Sequence, residues 1–360
     1  MIIIKQFFSI NISLLSLVVI NCKILLYKIF TKKKIGFFYH PNKNLTKNHT
    51  EYIEEYFSKY NNFLIFYGSL FFFNKKNYFL IKPFFLRYIF GVDIFLSNNV
   101  SDQFTNFSKK IYIHHDIFDT PLVEPKKELV LLKRLLKYDY IVVSSEQGKK
   151  VFLKLFNKTR SHPILKVSRY LKLNYFLKKI KVTHRDNCTK ILIAPTNFKS
   201  FPKLTMQKKL QNIISTLLKC KFEVTYRPHP SNFLEKNVLQ INKKFTKLKN
   251  FTFDCSKDYT LSFQSSDIII TDMSGTAYTY VVLNSKPVFF LNNEIEIKKH
   301  GYDKLNYFKF RSHIGYIVKD IKEIIKILNS KKIYLQKKNK IKKVRKIFLN
   351  QKLMNLNDFV

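Results

Sequence analysis

What this chain can fold into is constrained first by a succession of short apolar runs, each closed by polar or turn-forming residues. In the first half they read "KIGFFYHP", "NFLIFYG", "VDIFLS", "KKIYIHH" and "YDYIVVSS". In the second they read "KILIAPT", "KFEVTYRPHP", "NFTFD", "SDIIITDMSG" and "KPVFFL". Short apolar runs of this kind suit strands buried on both faces of a parallel sheet. Between them lie stretches with helical spacing. "TEYIEEYFSKY" is one. "MQKKLQNIISTLLKC" aligns Leu210, Ile213, Ile214 and Leu217, and "IKEIIKILNS" aligns Ile321, Ile324, Ile325 and Leu328. Strands alternating with helices predict an α/β protein with parallel sheets. The pattern loosens into basic, polar sequence over 166–187 and then restarts, so a linker is expected near Lys181–Asn187. A chain of 360 residues accommodates two such domains. The expected division is an apolar segment 1–31, a first domain 32–183, a second domain 184–330 and a basic tail 331–360.

Ahead of the first run, Gln6–Cys22 carries no charge over 17 residues, the short end for a bilayer-spanning helix. Three readings compete. One is an anchoring or interfacial helix whose basic flanks favour an anionic leaflet. The second is a helix packed on the protein. The third is a cleaved signal peptide, against which stands the lack of an A-x-A-like site. Lys32–Lys34 close the segment, and the positive-inside rule places the chain beyond them in the cytoplasm.

Lys and Arg number 65 against 24 Asp and Glu, a formal net charge of +41. That excess implies an anionic partner: nucleic acid, an anionic membrane face or phosphorylated substrates. Abundant Lys, Asn, Ile, Phe and Tyr with only 7 Gly is also what an AT-rich genome produces. No nucleic-acid-binding module is recognisable, so nucleic acid is not an expected partner. Nine basic residues and no acid between Lys331 and Lys346 read as a solvated helix face, with membrane contact as the sharper alternative. Cys22, Cys188, Cys220 and Cys255 have no metal-ligand spacing and are expected to be buried thiols. No metal site is expected.

Ligands of an open parallel sheet bind beyond the carboxyl ends of its strands. The polar residues directly after the apolar runs are therefore the candidates: His114, His115 and Asp116; Pro195, Thr196 and Asn197; Arg227 and His229; and Thr271 to Thr276. In "YRPHP" two prolines fix Arg227 and His229 at a strand end. The plainer alternative is a rigid loop with a surface His. "TDMSGTAYTYVVL" sets Thr271, Asp272, Ser274, Gly275 and Thr276 where a helix begins. Small residues there let backbone N–H groups approach a diphosphate. Ordinary N-capping by Asp272 or Ser274 is the alternative.

Taken together, "ILIAPT", "RPHP", "SDIIITDMSG" and "KPVFF" resemble, in order and spacing, the second domain of the CDP-glycerol glycerophosphotransferases of teichoic-acid and capsule synthesis. The resemblance is good over residues 188–291. In the first half the family has Trp-His-Gly followed closely by Thr-Pro-Leu. Here "IHHDIFDTPL" has no Trp or Gly, and its "TPL" at 120–122 lies three residues further on.

The resemblance implies two Rossmann-like domains facing a cleft (the GT-B type), with a nucleotide-diphosphate donor such as CDP-glycerol held by the second as a substrate and no cofactor. It implies His115, or His114 if the register slips, as general base; Asp116, next in sequence, is the candidate for orienting the imidazole. Pro195, Thr196, Arg227, His229, Thr271, Asp272, Ser274, Gly275 and Thr276 would bind the donor, and Arg227, His229 and Ser274–Thr276 would stabilise charge on the leaving diphosphate. The acceptor would be lipid-linked or polymeric, at the cytoplasmic face of the membrane. The alternatives are a nucleotide-sugar epimerase of the same fold and, from another class, a basic nucleic-acid- or membrane-binding protein without catalysis.

Overall fold

The computed structural model describes residues 2–40, 51–70, 76–114, 117, 128–157, 159–180, 189–199, 202–256, 258–330, 333 and 335–360. The apolar runs form two parallel sheets. In the first half, β1 (Lys34–His40), β2 (Phe63–Ser69), β3 (Tyr78–Leu80), β4 (Ile94–Ser97), β5 (Lys109–Ile113), β6 (Tyr140–Val143) and β7 (Ile164–Val167) assemble in the order β3-β2-β1-β4-β5-β6-β7. In the second, β8 (Lys190–Ile193), β9 (Glu223–Tyr226), β10 (Phe251–Phe253), β11 (Ile268–Thr271), β12 (Val288–Leu291) and β13 (Gly315–Val318) give β10-β9-β8-β11-β12-β13. The strand order turns back beside β1 in one sheet and beside β8 in the other, which opens the crevice where ligands of such sheets bind.

Helices cover both faces. The helix Leu210–Lys219 buries the four positions its spacing predicted: Leu210, Ile213, Ile214 and Leu217. Ile321–Leu328 is capped by Asp320, whose carboxylate accepts from Glu323 N–H at 3.0 Å, and buries Ile321, Ile324 and Leu328. The stretch read as loosened holds structure of its own: β7, then the helix Leu171–Lys179, which buries Leu171, Leu173, Tyr175 and Phe176. The expected linker lies outside the described residues.

The basic stretch after 331 is not a free tail. The helix Leu335–Leu349 buries Ile341, Val344 and Phe348, and Arg345 Nε donates to Val282 O at 2.9 Å. The chain then returns to the first domain. Met354 N–H donates to Ser168 Oγ at 2.9 Å, Arg169 N–H to Lys352 O at 2.8 Å, and Asn62 Nδ2 to Asn357 Oδ1 at 2.7 Å. A single apolar cluster contains residues of both halves, among them Phe176, Phe263, Tyr280 and Phe348. The lysines hide this packing from a sequence reading because the helix alternates them with apolar positions whose partners are distant in sequence.

Two motif residues act structurally at the amino ends of the second sheet. Asp267 of "SDIII" and Lys286 of "KPVFF" are both buried, 3.7 Å apart. Lys286 Nζ donates to Ser266 O at 2.7 Å, and Asp267 accepts from Thr189 and Lys190 N–H, each at 3.0 Å. The cysteine expectation fails for Cys22, Cys220 and Cys255, which are free but exposed.

Candidate active site

Because β8, β9 and β11 are adjacent and parallel, their carboxyl ends bring "APT", "RPHP" and "TDMSG" to one edge. Asp272 ties that edge together. Fully buried, its carboxylate accepts from Thr196 N–H at 2.8 Å, Met273 N–H at 2.8 Å and Met206 N–H at 3.1 Å. Burial pushes its pKa up to about 6, against the pull of those N–H donors. Thr271 Oγ1 donates to Ala194 O at 2.6 Å. Ser274 Oγ accepts from Thr276 N–H at 3.3 Å, and Tyr307 Oη donates to Ser274 O at 2.9 Å. Thr271, Asp272, Ser274 and Pro195 are buried, whereas Thr196, Gly275 and Thr276 are partly open. The first group builds the loop. The positions left partly open are Gly275 and Thr276, at the start of the helix Thr276–Asn284, with the Thr276 N–H already bonded to Ser274.

Arg227 and His229 occupy different environments. The Arg227 guanidinium is buried and engaged: Nη1 donates to Asp254 Oδ2 at 2.6 Å and Ser256 Oγ at 3.1 Å, and Nη2 to Ser256 O at 2.8 Å. Burial pushes the Asp254 carboxyl up, but Arg227 and the serine donors outweigh it and hold its pKa below the usual value. Arg227 also lies over the Tyr259 ring at 5.8 Å. That ring meets Phe176 at 4.7 Å and lies under Lys172 at 5.0 Å, both from the first-domain helix Leu171–Lys179. Arg227 therefore locks the 254–262 loop into the domain seam.

His229 is partly buried, and its Nδ1 accepts from Ser231 N–H at 3.2 Å. That bond leaves Nε2 as the N–H donor of the neutral ring. Burial lowers its pKa to about 4, so the ring is neutral at ordinary pH.

In the first sheet, His114 follows β5 directly. It is buried, hydrogen-bonds Tyr112 Oη through Nδ1 at 3.2 Å, and meets Phe152 at 5.4 Å between ring centroids. This is an aromatic core position. His115 and Asp116 lie outside the described residues. At the turn-back point of the same sheet, buried His40 contacts Asn98 Oδ1 through Nδ1 at 2.5 Å, with Asn99 Nδ2 at 3.3 Å. Sequence reasoning missed this group, although "FFYHP" and "FLSNN" carry the same signal as the chosen motifs, polar residues closing an apolar run. A cavity of about 540 Å³ lined by Lys109, Tyr140, Arg160 and Ile164 lies at the amino ends of β5–β7, the edge where such sheets do not hold their ligands.

The family model described as CDP-Glycerol:Poly(glycerophosphate) glycerophosphotransferase matches residues 115–358. Among solved structures, a histidine variant of the wall teichoic acid polymerase TagF is similar at 19% identity, TM-score 0.61, over 96% of this chain and 93% of that one. Another TagF variant, soaked with CDPG, is similar at 19% identity, TM-score 0.58, over 96% and 93%. UDP-GlcNAc 2-epimerase from Neisseria meningitidis, bound to UDP-GlcNAc, reaches 15% identity and TM-score 0.54 over 89% of this chain and all of its own. At these identities the structures share the two-domain fold. No curated protein sequence matches.

Proposed function

This chain belongs to the CDP-glycerol:poly(glycerophosphate) glycerophosphotransferase family, and from that premise we propose that it transfers glycerol phosphate from CDP-glycerol to a hydroxyl of a membrane-bound surface polymer, at the cytoplasmic face. The observation that supports this most is the convergence of His229 and the Gly275–Thr276 helix start at one sheet edge, at the spacing of the family's motifs.

The acceptor hydroxyl attacks the β-phosphorus of the donor. His115 takes its proton as general base, a role for which an imidazole titrating near neutrality is suited. The pyrophosphate bridge breaks, a phosphodiester to the acceptor forms, and CMP departs with the electron pair of the broken bond. The leaving group is thus the nucleoside monophosphate, not a diphosphate as in sugar transfer. The His229 Nε2–H and the helix start face the charge that develops on it. Arg227 positions this site through its loop and does not itself take a phosphate.

His229→Ala is expected to weaken CDP binding about 10-fold or more, the loss of one hydrogen bond to a charged group, about 1.5–3 kcal/mol. Because the ring titrates near 4, lowering the pH from 8 to 6 should not tighten CDP binding through His229. A ring with an ordinary pKa near 6.5 would gain charge, and affinity, in that interval. Calorimetric titration of both proteins with CDP at both pH values checks this. An unchanged affinity in the variant removes His229 from the donor site.

A further inference from the structure

Over residues 10–30 the N-terminal helix, Ile2–Phe30, is apolar on two opposite faces, and among the described residues only one of them is packed. Ile20 and Ile24 are buried in a cluster with Phe37, Phe66, Ile81 and Phe85 of the first domain. Polar bonds pin the same side. Asn21 Nδ2 donates to Tyr88 O at 2.9 Å, Phe90 N–H donates to Asn21 Oδ1 at 3.0 Å, and Lys28 Nζ lies 3.2 Å from Asp93 Oδ1. The other side exposes Leu14, Leu15, Val18, Leu25, Leu26 and Ile29. A helix laid on a water-soluble domain ordinarily turns charged residues outward. Here the outward face has none over the length of those residues.

The exposed face does not end with the helix. Phe84, Tyr88 and Phe90, in the segment to which Asn21 is bonded, are 42%, 46% and 53% exposed. Phe107 is 97% exposed, and its loop is tied to the same segment by Asn106 Nδ2 donating to Arg87 O at 2.7 Å. Exposed basic side chains accompany this surface: Lys32 and Lys33 just past the helix, and Arg87 in the bonded segment.

We infer that this face is a membrane-docking surface, with the helix lying in the plane of an anionic lipid interface and the Phe84–Phe90 and Phe107 aromatics dipping in beside it. Ile10–Phe30, at 21 residues and mean hydropathy 1.9, has the length and apolarity to cross a bilayer. Crossing would strip it from the sheet, exposing the cluster around Phe37 and Phe66 and breaking the Asn21 and Lys28 contacts. Lying flat keeps all of these and buries the outer face, with the basic side chains at headgroup level, as interfacial helices do. The aromatic composition of the flank is that of an interfacial belt. The occupant is set by this complementarity: an apolar floor accompanied by positive charge fits a lipid surface bearing negative headgroups. The inference does not depend on which group the enzyme transfers.

The chain contains no tryptophan, so single reporters can be placed in the full-length protein: Leu25→Trp on the helix, Phe107→Trp on the loop, and Leu234→Trp as a control, since Leu234 is 88% exposed in the second domain. Each is mixed with phosphatidylcholine vesicles with or without phosphatidylglycerol, some brominated at shallow and some at deep acyl positions. Leu25→Trp and Phe107→Trp should both shift to the blue and be quenched most by shallow bromine, while Leu234→Trp stays solvent-like. Phosphatidylglycerol should raise partition about fivefold for each basic side chain reaching the surface, at about 1 kcal/mol each. Deep quenching of Leu25→Trp with Phe107→Trp left in water would mean a spanning helix and overturn the inference. So would blue shifts without vesicles in a protein that sediments as a dimer, or no shift at either reporter. Donor turnover measured on the same proteins reports separately on the catalytic reading.

Discussion

Alanine at position 115 is expected to slow glycerol phosphate transfer about 10²–10⁴-fold, the usual loss of a general base, with CDP affinity unchanged. The expectation rests on the family's motif and on the neighbouring residue. His114 shares a face with Tyr112 and packs against Phe152 in the core. His114→Ala therefore belongs to a different class. It should cost about 0.5–3 kcal/mol of stability, as core changes commonly do, while the folded fraction transfers at the parent rate. Initial rates and CDP titrations on both variants separate the two. A folded His114→Ala that loses the rate, beside a His115→Ala that keeps it, would reverse the assignment.

Arg227→Ala should destabilise the protein by about 3–5 kcal/mol, the cost of stranding one member of a buried ion pair. Asp254 would keep its Ser256 and Ser262 donors but lose the guanidinium. The pH dependence has a definite sign. Asp254 has a depressed pKa in the folded protein. The pair's contribution is thus fully present above the pKa of an unfolded aspartate, about 3.9, and is lost as pH falls through the lower folded value. The gap between parent and variant should narrow in acid. Arg227→Ala combined with Asp254→Asn should cost less than the two changes summed, because the residues act as a pair. Urea unfolding of the four proteins measures this. Parent-like stability together with lost CDP affinity would return Arg227 to the phosphate-binding role that its motif first implied.

Much of the architecture was legible in the sequence because strands buried on both faces must be apolar throughout. "SDIIITD" and "KPVFFL" can be little else. The candidate edge was legible for a related reason, since polar residues that close such runs collect where parallel strands end. What could not be read was the direction in which those polar side chains turn. Asp272 has an anion-binding loop's sequence context, yet its oxygens point back to the N–H groups of Thr196, Met206 and Met273, partners up to 76 residues away. Arg227 likewise meets Asp254, 27 residues on. Neither pairing leaves a trace in local pattern. For the N-terminal segment the sequence left a packed helix and an interfacial helix side by side, because its packing partners are distant in sequence. Asn21, a polar residue inside an apolar run, is one of the polar contacts that hold the helix to the domain.

The central claim is the reaction itself. Purified full-length protein, supplied with CDP-glycerol and a polymer primer bearing a free glycerol hydroxyl in anionic vesicles, should release one CMP for each glycerol phosphate added to the primer. The added units should be joined by phosphodiester bonds. His115→Ala should release little of either. Release of UDP from a UDP-sugar, or its interconversion to an epimer, with CDP-glycerol left intact, would contradict the account.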